Sequence, residues 1–578
     1  MTDIASSGGS GPRRSAEEDA QLWERYRGRT GADAKATPLH RLQIGGSIPA
    51  RIDQHLEPVL PADRLRGEML LKGVWRIGTD RLTLEDGAAP WGDPTPSKHY
   101  ADRLHRFDWL LDLTSMGDAG EERARAMVDD WISNFGRFDG FSWRVGCTAD
   151  RVWNWMRCGS ALFDVGEQEF RDNRLEALAR QIRHVAALAD TEIEPSARWR
   201  SACIAVAGDL CLFEGRGNEL AMQRLEAECT AQLLPDGGHV SRSPSRALAT
   251  LADLIALRNL LLRCDRPCPD FLKRWISLAG GMVTFFRSGD GALPPFHDGS
   301  ESLPNSVSAV LEQLESPPRR FAVAPKSGFQ KLAKGETLLI LDAGAAPQRP
   351  FGDRAHAGAL SFELNDADAR LITACGWSPE LDLDFQEAVR RTSAHSTLII
   401  EDVDSCGFVA NDETRLLYPI GPEGISAKRL EEDDEIWLDA QHGGYKSQYG
   451  LLHRRRLFMS GDGKRLTGED SLARPVSAGR SEEVTTIPFA IRFHLHPTVA
   501  AETAGDSILL QSEFGPRWRF KTSHSRAQLS DTVYFARSGV ERSRQIVLHG
   551  DAERNSDGSA PPNCVRWAFL KDDANGLS

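Results

Sequence analysis

Arg354-Ala-His356-Ala-Gly358-Ala-Leu-Ser361-Phe-Glu363-Leu364 and, further along, Arg390-Arg391-Thr392-Ser-Ala-His395-Ser396-Thr-Leu-Ile-Ile400 share one construction. Each ends in an apolar run of strand type, and each sets a histidine just ahead of that run. A turn of Gly and Ala that delivers an imidazole to a strand edge puts a titratable group where loops carry function. The plain alternative is a pair of imidazoles hydrogen-bonded at the rim of a sheet.

Strands dominate on both sides of these runs. Segments 336–344, 371–376, 435–440, 450–460, 489–496, 517–522, 545–550 and 564–570 have strand character. Ile491, Phe493 and Leu495 alternate with Arg492, His494 and His496, and Trp518 and Phe520 alternate with Arg519 and Lys521. Many short alternating strands with turn signals between them predict an antiparallel β-sandwich with one wet face per sheet. Pro304, Pro317-Pro318 and Pro325 mark a linker ahead of it.

Upstream the period changes. Tyr100, Leu104, Phe107 and Leu111 recur at helical spacing, as do Leu175, Leu178, Ile182 and Val185, and Met222, Leu225 and Cys229. Gly136, Gly140, Pro195 and Pro235-Asp236-Gly-Gly238 separate the segments. The pattern predicts an all-α domain over 41–320 and a sandwich domain over 321–578. Residues 1–40, rich in Gly, Ser, Arg and Glu, are expected to be a disordered arm.

At 578 residues the chain is long enough for more than one core. Its net charge of −13 offers no general attraction to nucleic acid or to an anionic membrane. The ten cysteines form no C-x-x-C pair and read as buried thiols. No apolar run is long enough to span a bilayer, and the first residues carry no secretory pattern, so the sequence by itself points to the cytoplasm.

The two histidine runs resemble the C-terminal domain of the heparinase II/III-like polysaccharide lyases. There the first run usually reads His-Ala-His-Ala-Asp-Ala-Leu-Ser-Phe and the second Arg-x-Thr-x-x-His-Asn-Thr. His356, Leu360-Ser361-Phe362 and His395 are kept, whereas Arg354, Gly358 and Ser396 stand where the family has His, Asp and Asn. The resemblance implies an incomplete α/α toroid followed by the sandwich, an acidic polysaccharide or oligosaccharide as partner, and a cell-envelope or periplasmic location. It also implies β-elimination, in which a uronate carboxylate is neutralised, the neighbouring proton is removed and the leaving oxygen is protonated.

Pro235-Asp236-Gly-Gly238-His239 resembles the loop that precedes the family's Tyr-His pair, whose places fall at Arg246 and Ala247. The neutralising Asn falls near Ala197. Candidate proton-transfer residues are therefore His239 and His356, with Arg246 and His395 beside them in the catalytic set. Candidate substrate contacts are Arg198, Arg200, Arg242, Asp236, Arg391, His297 and the faces of Trp143 and Trp155. The arginines also read as solvated surface, the tryptophans as core and Asp236 as a turn builder. Family members can hold a structural zinc through His, Asp and His. His356 and His395 match the histidines, but the Asp falls near Thr373, so no metal or other cofactor is expected. A glycan-binding protein without turnover and a glycoside hydrolase, the latter using Asp236 with Asp290, are the other readings of the same residues.

Overall fold

The alternation at 489–496 becomes strand Thr486–Leu495, whose Ile491, Phe493 and Leu495 are shielded from solvent. The computed structural model describes residues 38–572 except 79, 86–87, 92–95, 214, 216, 303, 379–380, 382, 411–416, 476–485, 525–526 and 538. All but the last few residues of the arm expected at 1–40 lie outside that range. The strands in chain order are β1 Val74–Ile77, β2 Asp80–Thr83, β3 Val323–Ala324, β4 Phe329–Lys334, β5 Thr337–Asp342, β6 Phe362–Asp366 and β7 Ala369–Thr373. They continue with β8 Leu398–Ile400, β9 Gly407–Ala410, β10 Leu417–Ile420, β11 Ser426–Glu432, β12 Glu435–His442, β13 Leu452–Met459 and β14 Arg465–Ala473. The last are β15 Thr486–Leu495, β16 Val499–Ala504, β17 Ser507–Ser512, β18 Arg517–Thr522, β19 Ala527–Ala536, β20 Gly539–Glu553 and β21 Cys564–Lys571.

Packing divides the chain into two units. Among the described residues, the first takes those within 1–232 and 252–276, and the second those within 233–251, 277–410 and 416–578. The expected boundary at 320 follows the change from helix to strand. The contacts instead place the loop at 233–243 and the turn at 288–302 with the strands, because Asp236 bonds to Lys326 and Ser327, and Arg370 to Asp290.

The first unit is the helical domain of α/α toroid type. Its longer helices include Asp118–Phe135, Val145–Arg157, Gln168–Leu188, Pro195–Leu212 and Asn218–Gln232, and from Val145–Arg157 onward each packs against the next of these. The core is aromatic, with Trp75, Trp109, Trp131, Trp155, Tyr100 and Phe107 fully enclosed. Arg151 is enclosed with them. It donates to Gln181 Oε1 at 2.6 Å and to the carbonyls of His105 and Ser142, and lies 4.2 Å from the Trp131 ring centre. A buried guanidinium is tolerated here because each face and fork finds a partner.

The second unit is the sandwich. One sheet runs β11-β12-β13-β14-β21-β18-β17-β16; the other runs β19-β20-β15-β7-β6-β5-β4-β3, with β8 beside β15. The pairings within both are antiparallel. Leu339, Phe362 and Phe493 from one sheet and Leu457, Trp518 and Trp567 from the other share one core. That core fixes the strand ends on which the histidine runs sit.

Candidate functional site

The first run forms a tight loop between β5 and β6; the second leads into β8. Their histidines meet. The ring centres of His356 and His395 are 5.2 Å apart, and His297, from the turn at 288–302, lies 6.1 Å from His356. All three are 3% exposed. The loops are tied by their backbones and hydroxyls. Ala357 N donates to Arg390 O at 2.8 Å, Thr392 Oγ1 to Ala357 O at 2.7 Å, and Thr397 Oγ1 to Ala359 O at 2.9 Å.

His297 accepts the His356 backbone N–H on Nδ1 at 3.2 Å, which leaves the ring proton on Nε2, 3.3 Å from Asp342 Oδ2. That contact is the approach of a neutral imidazole to a carboxylate, since burial holds His297 below its ordinary value. His356 has no hydrogen-bond partner on either ring nitrogen among the described residues, and His395 has none on Nε2. Burial holds all three below the ordinary histidine value. His395 falls to about 3 and His356 lies well below 6.5, with the neighbouring imidazoles adding to burial in both. At neutral pH this is an uncharged cluster of bases.

Two carboxylates border it. Asp342 at the end of β5 is ion-paired with Arg242; burial alone would raise its pKa, but Arg242 and His297 outweigh burial and leave it at about 2. Asp298 accepts Arg246 Nε at 3.0 Å, and the Arg246 and Arg354 charges keep it ionised against burial. His239 receives Ser241 N on Nδ1 at 3.1 Å and is pushed to about 3 by burial and then by Arg246.

Several sequence expectations meet a different outcome. Arg242 does not face substrate. Its Nε donates to Ser327 O at 2.7 Å, Nη1 to the carbonyls of Gly344 and Ala345 at 3.1 Å, and its remaining arm goes to Asp342. Arg242 also carries a positive φ of 62°, so it is a loop clamp. Asp236 is likewise consumed, accepting Lys326 N and Ser327 N at 2.8 Å and Ser327 Oγ at 2.7 Å. Trp155 and Trp143 are core: Trp155 packs on Phe107 and Trp131, and Trp143 bonds Phe135 O at 2.8 Å. Their faces are covered by neighbouring rings, not open to a sugar.

Arg198 and Arg200 belong to the first unit. Arg198 pairs with Glu228, and Arg200 donates to Asp253 Oδ1 at 2.8 Å and lies 4.7 Å from the Trp153 ring centre. Ala197 sits in the first turn of helix Pro195–Leu212, where Glu194 caps it. Arg391 pairs with Asp404 at 3.0 Å and lies over Phe408, with its side chain 39% exposed. Arg246 keeps 30% of its side chain exposed. The structure thus brings His297, His356 and His395 together, and separately pairs Arg246 with Asp298, whose charges both act on His239.

The donor set does not fit the zinc that the resemblance allows. Thr373, at the place of the expected carboxylate, offers a neutral hydroxyl. Among the described residues no group of three His, Cys, Asp or Glu side chains is arranged to hold a metal ion. The replacements fit their surroundings instead. Ser396 Oγ donates to Thr373 O at 2.6 Å and accepts His494 N at 2.9 Å. A Cβ on Gly358 would lie 3.1 Å from His395 Cγ and Nδ1.

Sequence reasoning did not single out Asp342, Asp298 or Arg455. Asp342 ends an apolar run, Leu338-Leu-Ile-Leu341, and a lone carboxylate at a strand end was the available signal.

Comparison with known proteins bears on the family and the fold. Residues 316–568 match the family model described as heparinase II/III-like, C-terminal. A protein of Caulobacter vibrioides named FtsZ-localized protein C is 32% identical over 545 residues, covering 92% of each chain. The crystal structure of heparinase III superposes with a TM-score of 0.65 at 15% identity over 97% of this chain and 93% of that one. Heparan sulfate lyase HepC from Pedobacter heparinus gives 0.53 at 13% identity, over 96% and 88%. No helix among the described residues is long and apolar enough to cross a membrane.

Proposed function

The chain belongs to the heparinase II/III-like family, and from that premise we propose that it acts on an acidic, uronate-containing polysaccharide by β-elimination. The observation that carries this reading is His356, a neutral imidazole with no hydrogen-bond partner on either ring nitrogen among the described residues, its ring centre 5.2 Å from that of His395. Arg246, with Arg354, supplies positive charge for the uronate carboxylate, which makes the adjacent C5 proton more acidic. His356 takes that proton. The C5–H electrons form the C4–C5 double bond, the C4–O bond breaks, and the imidazolium returns the proton to the leaving oxygen. His239, near Arg246 and Asp298, is the other base that could return that proton to the leaving oxygen in place of His356. The incoming carboxylate also adds negative charge beside the histidine cluster, raising its affinity for a proton.

The test is ultraviolet absorbance of the unsaturated uronate, with reducing ends counted in parallel, over a panel of uronate polysaccharides. The expected result is a rise in absorbance that His356→Ala lowers by a factor of about 100 or more. Full activity in that variant would falsify the assignment. Reducing ends without absorbance would replace elimination with hydrolysis.

A second reading is a protein that binds glycan without turnover. It is favoured by Arg246, Ala247 and Ala197 standing where the family keeps its Tyr, His and Asn. The Caulobacter relative's name places that protein with FtsZ, so this reading extends to co-localisation with FtsZ. It calls for saturable oligosaccharide binding with no product, and for a tagged chain that follows FtsZ in dividing cells.

A further inference from the structure

The outward face of the eight-stranded sheet carries a groove of about 730 Å³, remote in sequence from the histidine runs and built by β11, β12, β13, β14, β18 and β21. Register explains its shape. Leu430, Trp437, Phe458, Thr467, Ala568 and Lys521 are successive cross-strand neighbours and point the same way. Small side chains at Thr467 and Ala568 form a low floor. Trp437 and Phe458, 4.3 Å between ring centres, raise one wall. Trp437 is 49% exposed and Leu430 56%, an unusual apolar display for a sheet face in solvent.

A second row runs beside the first: Lys428, Asp439, Arg456, Glu469 and Arg566. Its cations occupy alternate strands and are therefore about 10 Å apart, two strand spacings. Glu469 bridges Arg456 at 3.0 Å and Arg566 at 2.9 Å, holding both guanidinium groups over the groove. Such exposed pairs are weak and open readily to a competing anion. With Lys521 across the floor, these two rows carry four cations and two carboxylates in a chain whose net charge is −13.

We propose that this face is an accessory binding site for an anionic oligosaccharide laid across the strands. A sugar ring stacks on Trp437 and acidic substituents meet Lys428, Arg456 and Arg566, while Asp439 is held by Arg454. The fit favours a glycan over an acidic peptide on two grounds. Same-side residues of an extended peptide recur at about 7 Å, out of step with cations about 10 Å apart. Of the groove strands only β11 is an edge; the backbone groups of β12, β13, β14, β21 and β18 are spent in ladders on both sides, so a peptide laid across the face finds no strand to pair with there. The inference rests on the acidic-polysaccharide reading for its ligand class but not on turnover.

The test is titration calorimetry on the full chain with hexasaccharides of polygalacturonate and heparan sulfate, with cellohexaose and poly-glutamate as controls. At least one acidic hexasaccharide should bind, and Trp437→Ala and Arg566→Glu should each weaken it at least tenfold without moving the melting temperature. His356→Ala should keep the affinity, and absorbance recorded on the same samples reports elimination separately. The proposal is overturned if no acidic hexasaccharide binds, if both groove variants bind like the parent, or if poly-glutamate binds more tightly and displaces the sugar.

Discussion

Arg455 and Asp470 form a bidentate pair with no solvent exposure on either side chain, Nε to Oδ1 at 2.7 Å and Nη2 to Oδ2 at 2.9 Å. Asp470 also accepts from Trp567 Nε1 at 2.8 Å and lies 2.7 Å from His453 Nε2. The free arm of Arg455 donates to Leu360 O at 2.7 Å and Ser396 O at 2.8 Å. These two carbonyls belong to the two histidine loops. The pair therefore couples the interior of the eight-stranded sheet to the placement of His356 and His395.

Removing the guanidinium strands a buried carboxylate. Burial would raise the Asp470 pKa, but Arg455 and His453 together hold it far below the carboxylate range, so it is charged at neutral pH. Arg455→Met is expected to cost about 3–5 kcal/mol. Arg455→Met with Asp470→Asn should cost less than Arg455→Met alone, because no uncompensated charge remains. Urea midpoints of the two variants check this; equal losses would show that the lost carbonyl bonds, not the charge, dominate.

The buried histidines set an acid limit. His239 and His395 are held at about 3, and His184 and His494 at about 4, each chiefly by burial. A folded pKa below the unfolded value means that the unfolded chain binds the extra proton. The stability is fully present above about pH 6.5 and is lost as pH falls from there toward the folded values. Each such histidine steepens the loss by up to about 1.4 kcal/mol per pH unit. The melting temperature should fall steeply between pH 6.5 and 5, and His494→Gln should flatten the slope.

Gly358 is closely covered by its neighbours. A side chain there meets His395 and Ser361 Oγ at 3.1 Å, closer than ordinary contact. Gly358→Asp, which restores the residue usual in the family, is expected to destabilise by about 1–3 kcal/mol, as overpacking does. Gly358→Ala should lose nearly as much, and thermal unfolding of both variants decides it. A stable Gly358→Asp protein would mean that His395 swings aside.

The fold was legible because its signals are periodic. Alternation at Ile491, Phe493 and Leu495 and helical spacing at Leu175, Leu178 and Ile182 each recur often enough to average out local exceptions. The meeting of His356 with His395 was legible only through the resemblance. The role of Arg242 was not, since a guanidinium bound to backbone carbonyls and one bound to a carboxylate ligand read alike in sequence, whereas Asp236 is the turn builder that its Pro-Asp-Gly-Gly setting allows. Trp143, in the turn ahead of helix Val145–Arg157, and Trp155 within that helix are core and not sugar platforms; a tryptophan in sequence does not declare whether its face is covered. Arg455 lies in His453-Arg454-Arg455-Arg456, where strand alternation sends one arginine inward and its neighbours out, and the basic run conceals it.

Glu363 gives a pH effect of the opposite sign. It lies on β6, 2% exposed, and burial lifts its pKa to about 8 despite Thr373, Arg370 and the Ala374 N–H at 3.1 Å. The carboxyl is then protonated in the folded chain at neutral pH, while in the unfolded chain it ionises near 4.5. Its contribution is fully present below pH 4.5 and is lost as pH rises toward 8, by up to about 1.4 kcal/mol per unit. Glu363→Gln keeps the shape and removes the titration. The variant should equal the parent near pH 5 and exceed it in stability at pH 8, read from urea midpoints at the two values. A parent that matches the variant at pH 8 would place the Glu363 pKa near its ordinary value and show that Arg370 and the backbone N–H stabilise the carboxylate as fully as water does.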